Sequence, residues 1–374
     1  MRTGRFLIAV LVSLAVILSA PFIRDIRDWI RFNFPGQFVT FVAAGIAFAI
    51  GAAIAAALYK IRDRRAPRYG AIVAALVLGV SYAMWNAQGN PEVDTVERFH
   101  FVEYGLITFL FYRTWRPVGD MSIVVLPVLA GLVVGTLEEW LQWFIPGRIG
   151  DMRDVFLNCA AIVCGLLFSL GIDPPERLSL RLAPGSRRRI AVAAAIATLV
   201  FATFVDTVHL GVNVGEGGVL TFRSRYDADE LRRIAEQRAI AWKANPPLAR
   251  PASRSREDQY QSEGHQHVQE RNRQWTAGNI SAAWYENQIL EAFYAPVLDT
   301  PSYLSKTGHR WPAEQRADAQ HRHEAAGAST SRSYESLADA TEGHHFIRTW
   351  SPVVFWALVG LFVVGLGIVG GVRR

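Results

Sequence analysis

Charge and cysteine are both scarce in this 374-residue chain, and each scarcity narrows what it can be. Charged residues supply 19% of the sequence, against roughly 25% in ordinary soluble proteins. With 51% hydrophobic residues beside that figure, a disordered or highly solvated chain is excluded. The only two cysteines, Cys159 and Cys164, stand five apart in one apolar run. On a helix they fall on different faces, more than a turn apart, so they read as small buried residues and not as a disulfide. The chain also lacks a P-loop, a GxSxG elbow and an HExxH pair, which leaves no reaction class imposed by motif. A formal net charge of +6 would suit a nucleic-acid partner, but the basic residues punctuate apolar runs instead of forming one patch. No nucleic acid, cofactor or metal is therefore expected.

What is abundant is apolar sequence, unevenly placed. Residues 1–210 and 350–372 are apolar with basic punctuation, whereas 211–349 are polar. A hydrocarbon core about 30 Å thick requires roughly 20 apolar residues per helix. Suitable runs lie at 6–23, 37–59, 69–85, 99–112, 122–144, 154–172, 190–210 and 350–372. The expected fold is all-α: a polytopic helical membrane protein of about eight transmembrane helices with a mainly helical extracytoplasmic domain. The first run reads as a retained anchor, because Leu18 and Pro21 spoil the signal-cleavage pattern around Ala20. Residues 24–34 alternate Ile26, Ile30 and Phe34 with Arg27, Asp28 and Arg31, which predicts a short amphipathic helix on the interface. Gly131 and Gly135 have the small-xxx-small spacing of close helix contact.

Loop charges give an orientation. Arg2, Arg5, Lys60, Arg62, Arg64, Arg65, Arg68, Arg113, Arg116, Arg177, Arg181, Arg187, Arg188, Arg189, Arg373 and Arg374 fall on one set of alternate connections, sixteen in all. The other short loops hold six: Arg24, Arg27, Arg31, Arg98, Arg148 and Arg153. Both termini are thus expected in the cytoplasm of an inner-membrane protein. The organisation read from this is helices 1–3 over 1–90, a core of helices 4–6 over 91–172, and a basic cytoplasmic loop with helix 7 over 173–210. An extracytoplasmic domain follows over 211–349, and helix 8 lies within 350–374.

The fourth run is the least apolar. His100, Glu103 and Tyr104 sit at helical spacings of three and four, at membrane depth. The fifth run ends in Glu138, Glu139 and Gln142, the turn Pro146-Gly147-Arg148 follows, and the sixth begins with Asp151, Asp154 and Asn158. Ionisable groups at mid-bilayer cost roughly 2.5–3.5 kcal/mol each on insertion scales, and they normally face a bundle interior. Interfacial caps account for single members such as Asp151; convergence of three spans points to one polar site near the outer face.

His100-Phe101-x-x-Tyr104, Glu138-Glu139-x-x-Gln142 and Pro146-Gly147-Arg148 followed by Asp154 and Asn158 resemble the VanZ-like membrane family, over about residues 91–170. The sequence departs from the family pattern where Glu97 stands three before the histidine, where the acidic pair is Glu-Glu, and at Ala161. The resemblance implies a multi-pass membrane protein of the cell envelope, in a family whose named member is associated with low-level resistance to teicoplanin-type glycopeptides. It implies no reaction.

In 211–349 a helix is predicted over 227–243, with Asp227 or Asp229 near its cap, and others over about 257–274 and 280–295; 219–223 reads as a short strand. His265-x-His267, His321-x-His323 and His344-His345 read as solvated histidines, since i,i+2 pairs on a helix do not face each other. Trp275, Trp284, Tyr285, Phe293 and Tyr294 read as a small core, with a sugar-stacking surface as the alternative.

Three functions remain open. The leading one is an outer-leaflet polar pocket of His100, Tyr104, Glu138, Glu139, Gln142, Arg148, Asp154 and Asn158, engaging membrane lipids through a lipid-linked or glycan head group. The second is a membrane-embedded hydrolase or transferase, with His100 or Glu139 as general acid–base and Arg148 holding an anionic group. The third is a non-catalytic scaffold.

Overall fold

The computed structural model describes residues 2–87, 89–145, 150, 152–216, 220–246, 259–302, 305–326, 333–338 and 347–371. It divides into two compact units. One comprises 1–142, 150–204 and 356–374; the other comprises 143–149 and 205–355.

The first unit is a bundle of long helices: α1 Arg2–Asn33, α2 Phe38–Lys60, α3 Arg65–Trp85, α4 Pro91–Trp115, α5 Ser122–Trp143, α6 Met152–Ile172, most of α7 Pro184–Val208, and most of α13 Pro352–Gly371. Among the described residues, seven of these are long and apolar enough to cross a membrane; α4 is not among the seven. Its polarity, and not its length, separates it from the rest. Arg153 of α6 pairs with Glu97 of α4 at 3.1 Å at one end. At the other end Arg116, just after α4, pairs with Asp173, just after α6, at 3.4 Å. Between those pairs α4 and α6 each advance about 28–30 Å at 1.5 Å per residue, a full hydrocarbon thickness. The two helices are therefore parallel neighbours over the whole span, and α4 is the eighth full-length helix of the bundle.

Local chemistry sets the helix limits. Asn90 caps α4 by accepting from Glu92 N at 3.1 Å, with Pro91 in the first turn, where its missing N–H is harmless. Arg68 donates to the last carbonyls of α6, Gly171 O and Ile172 O, both at 2.9 Å. The α1 helix runs unbroken from Arg2 to Asn33 with Pro21 inside it. The separate interfacial helix expected at 24–34 is thus a continuation of the first span, and Arg31 at its far end pairs with Glu92 of α4.

Burial ranks the helices. More than half of the apolar windows of α5 and α6 is buried (56% and 61%), against 0–17% for α1, α2, α3, α7 and α13. The centre is α4, α5 and α6, where Tyr104, Ile107, Phe111, Val134, Ala161 and Ile162 pack together with Ala9 of α1. Glycines permit the approach. A Cβ on Gly131 would lie 2.9 Å from Ile162 Cγ1, and one on Gly165 would lie 2.7 Å from Gly105 Cα. Side chains on the outer helices, such as Phe48 and Leu361, are exposed, as suits an apolar solvent.

The second unit has a three-stranded sheet of β1 Val212–Glu216, β2 Leu220–Ser224 and β3 Tyr334–Glu335, in that order, with β1 antiparallel and β3 parallel to β2. Its helices are α8 Ala228–Ala244, α9 Gln259–Thr276, α10 Ile280–Phe293, α11 Ala295–Asp299 and α12 Ala313–Ala325. Asp227 and Glu230 form a capping box on α8, as the expected cap requires. The core is Phe222, Leu231, Tyr260, Val268, Ile289, Leu290, Phe293 and Tyr294. Strands β1 and β3 were not foreseen. The histidine reading also changes: His265 and His267 are buried, on opposite contacts, while His321 is exposed and His344-His345 lies outside the described residues. His267 Nδ1 meets Glu286 Oε2 at 2.7 Å, and His265 packs edge-on against His309 at 5.4 Å. Trp284, Phe293 and Tyr294 are buried as core, and Trp275 and Tyr285 are half-buried.

Candidate functional site

At the Glu97 end of the bundle, three central helices bring polar side chains into the interior. The i,i+4 step on α4 places His100 beside Tyr104, with ring centroids 6.0 Å apart, and the i,i+3 step places His100 Nδ1 3.5 Å from Glu103 Oε2. Glu138, Glu139 and Gln142 share the last turns of α5. Gln142 Nε2 donates to Glu138 Oε1 at 3.3 Å and to Glu139 Oε1 at 3.1 Å. The Tyr104 hydroxyl donates to Glu138 Oε2 and so joins α4 to α5. Asn158 enters from α6: a Cβ on Gly135 would lie 3.3 Å from both Asn158 Nδ2 and Tyr104 Cε1. A missing side chain on α5 therefore lets the Asn158 amide face the Tyr104 ring.

Burial is nearly complete: Tyr104 and Glu139 are 0% exposed, Asn158 1%, Gln142 3%, Glu138 5% and His100 9%. Asp154, one turn before Asn158 on α6, is half-buried. Of the residues singled out from sequence, His100, Tyr104, Glu138, Glu139, Gln142 and Asn158 are thus brought into one neighbourhood. Arg148 and Asp151 lie outside the described residues.

A second polar knot flanks this one and was not anticipated. Arg153, read from sequence as a loop charge, donates to Asn86 Oδ1 at 3.2 Å, to Asn86 O at 2.8 Å and to both oxygens of Glu97 at 3.1 Å. Asn86 Nδ2 closes the ring to Glu97 Oε2 at 3.2 Å. The knot ties the ends of α3, α4 and α6, and it explains the acid that stands three before His100: Glu97 is the counter-ion of Arg153. The signal was available in sequence only as two opposite charges at the same inferred depth.

The opposite end of the bundle is basic. Lys60 and Arg116 both reach Asp173, at 3.5 and 3.4 Å, and the Tyr112 hydroxyl donates to Asp173 O at 2.7 Å. Arg5 donates to Arg113 O at 3.5 Å, so the start of α1 lies at this end too. A Cβ on Gly370 would lie 2.7 Å from Ala191, which puts the last turn of α13 beside the first turns of α7. Among the described residues, no three His, Cys, Asp or Glu side chains gather closely enough to hold a metal ion.

Residues 7–172 match the VanZ/LLP1 family model, which extends the likeness from the polar core back through α1, α2 and α3. No curated protein and no solved structure matches the chain. Seven apolar membrane-length helices, a polar eighth packed among them and that match together make this a multi-pass membrane protein whose residues 7–172 are similar to the VanZ/LLP1 family.

Proposed function

We propose that the polar cluster of α4, α5 and α6 is an outer-leaflet binding site for a lipid-linked or glycan head group of the cell envelope. The observation that carries this reading is the burial of two adjacent carboxylates, Glu138 and Glu139, at 5% and 0% exposure among the most buried helices of the bundle. Desolvating such groups is costly, and proteins keep intramembrane ionisable residues chiefly on substrate or ion pathways. A simple helix lock needs only one hydrogen-bonded pair. Here the acids, Gln142, Tyr104 and Asn158 occupy successive turns of three helices. Orientation rests on the sixteen-to-six division of Lys and Arg between alternate connections, which puts both termini in the cytoplasm of an inner membrane and residues 211–349 outside. The Glu97 end of the bundle, with the polar cluster, then lies on the outer side, where envelope lipids and glycopeptides are found.

Expression of the chain in a susceptible host tests the reading through tolerance to a lipoglycopeptide. Tolerance changes with the wild-type protein and weakens in graded fashion with Glu139→Gln and His100→Ala at equal membrane abundance. Identical tolerance with and without the protein, once it is confirmed in the membrane, removes glycopeptide tolerance from the proposal.

A further inference from the structure

Asn158 stands apart from the other residues of the polar cluster. It is 1% exposed, and neither Oδ1 nor Nδ2 has a hydrogen-bond partner among the described residues. Buried amides without partners are uncommon, because the unmade hydrogen bonds cost free energy that an apolar residue of the same shape would not. Its surroundings show where a partner would come from. Tyr104 and Gly135 bracket the amide, and Glu138 and Glu139 follow Gly135 by one turn of α5.

We infer that Asn158 is the specificity-determining residue of the proposed site and that it reads hydroxyl or acetamido groups of a sugar in the bound head group. The inference rests on the head-group reading above and names the chemistry recognised. An amide with both ends open needs a group that donates and accepts at once. An ammonium head group only donates and leaves Nδ2 unmet. An ionised phosphate only accepts, leaves Oδ1 unmet, and meets like charge at Glu138 and Glu139. Neighbouring sugar hydroxyls, or an acetamido group, satisfy both atoms of Asn158, and further hydroxyls of the sugar donate to the carboxylates. Asp154, one turn away on α6, adds to the same bias against anionic groups.

The test uses the full chain in phosphatidylglycerol nanodiscs doped separately with a monoglucosyl diacylglycerol or with phosphatidylethanolamine, read by native mass spectrometry and by thermal unfolding. Wild-type protein retains the glucosyl lipid selectively and is stabilised by it. Asn158→Leu unfolds at the same or a higher temperature in undoped discs, since it removes an unmatched amide. It binds the glucosyl lipid about tenfold more weakly, the scale of one or two lost buried hydrogen bonds. Selective retention of phosphatidylethanolamine overturns the sugar assignment and leaves the head-group site standing. Equal retention of the glucosyl lipid by Asn158→Leu overturns the role of Asn158 alone. Retention of neither lipid over the phosphatidylglycerol background, as an internal water on Asn158 would produce, overturns the sugar assignment and the head-group site together.

Discussion

Replacement of Gly165 by alanine probes the α4–α6 contact on which the buried polar cluster depends. An alanine Cβ at that position would sit 2.7 Å from Gly105 Cα, 3.1 Å from Gly105 O and 3.1 Å from Thr108 Cβ. Carbon atoms rest at about 3.5–4.0 Å, so α4 must withdraw from α6 by roughly 1 Å. The obstacle is backbone, which cannot rotate away as a side chain does. Overpacking of this kind costs about 1–3 kcal/mol, offset by the ~0.5–1 kcal/mol that alanine gains over glycine within a helix. A net loss of about 0–2.5 kcal/mol follows, against a gain at a position with open space. Gly45 of α2 is the control, because nothing lies within 4 Å of its missing Cβ. Gly45→Ala should be neutral or slightly stabilising. Thermal unfolding of both variants in the same detergent reads the difference, with Gly165→Ala melting several degrees below Gly45→Ala. If Gly165→Ala proves as stable as Gly45→Ala, α4 and α6 are not in the close contact described, and the geometry of the polar cluster falls with it.

Other outcomes follow from the same structure. Tyr104→Phe and Glu138→Gln should be non-additive in a double-mutant cycle, with a coupling of about 1.5–3 kcal/mol for a buried hydrogen bond to a charged group; strict additivity would separate the two side chains. In the polar unit, Glu286 accepts from Tyr334 at 2.7 Å and Ser336 at 2.6 Å beside His267. Glu286→Ala should lower stability by about 3 kcal/mol and speed hydrogen exchange at 333–338 before the rest of that unit; unchanged exchange there refutes the link. Burial, with His265 and Arg271 nearby, pushes the His309 imidazole down to about 4. The folded unit therefore resists a proton that the unfolded chain accepts, so stability is full above pH 6.5 and declines as pH falls towards 4. His309→Gln should flatten that part of the profile, and an unaltered slope would assign it elsewhere. Reporter fusions after Arg65 and Arg188 should signal cytoplasm, and one at Gly278 the outside; a cytoplasmic signal at Gly278 reverses the proposed orientation.

Much of this was legible in the sequence because the bilayer imposes a simple rule on length and polarity. The polar fourth run was recognisable through the i, i+3, i+4 spacing of His100, Glu103 and Tyr104, and Gly131 and Gly135 announced the close approach of α6. The features that escaped detection depend on partners far apart in the chain. Nothing local to Arg153 marks it as the partner of Glu97 and Asn86. Arg27, Asp28 and Arg31 give 24–34 an interfacial pattern, yet α1 passes through Pro21 without ending, since a proline near the middle of a long packed helix bends it more readily than it stops it. The i,i+2 argument for His265 and His267 held in that the two rings face different neighbours. It failed in concluding exposure, because α9 is packed on more than one side and both faces are interior. Strand β3 is two residues long, too short for any alternation to register.

Lipid carried through purification by the full chain, identified by mass spectrometry, tests the central claim most directly. Wild-type protein and a variant combining Glu139→Gln with Asn158→Leu are extracted from the same membranes and compared at matched folded amounts. A lipid species, sugar-bearing in its head group, should be enriched over the bulk membrane with the wild type and return to the bulk proportion with the variant. Bulk lipid composition in both samples would contradict a head-group site at the α4–α5–α6 polar cluster.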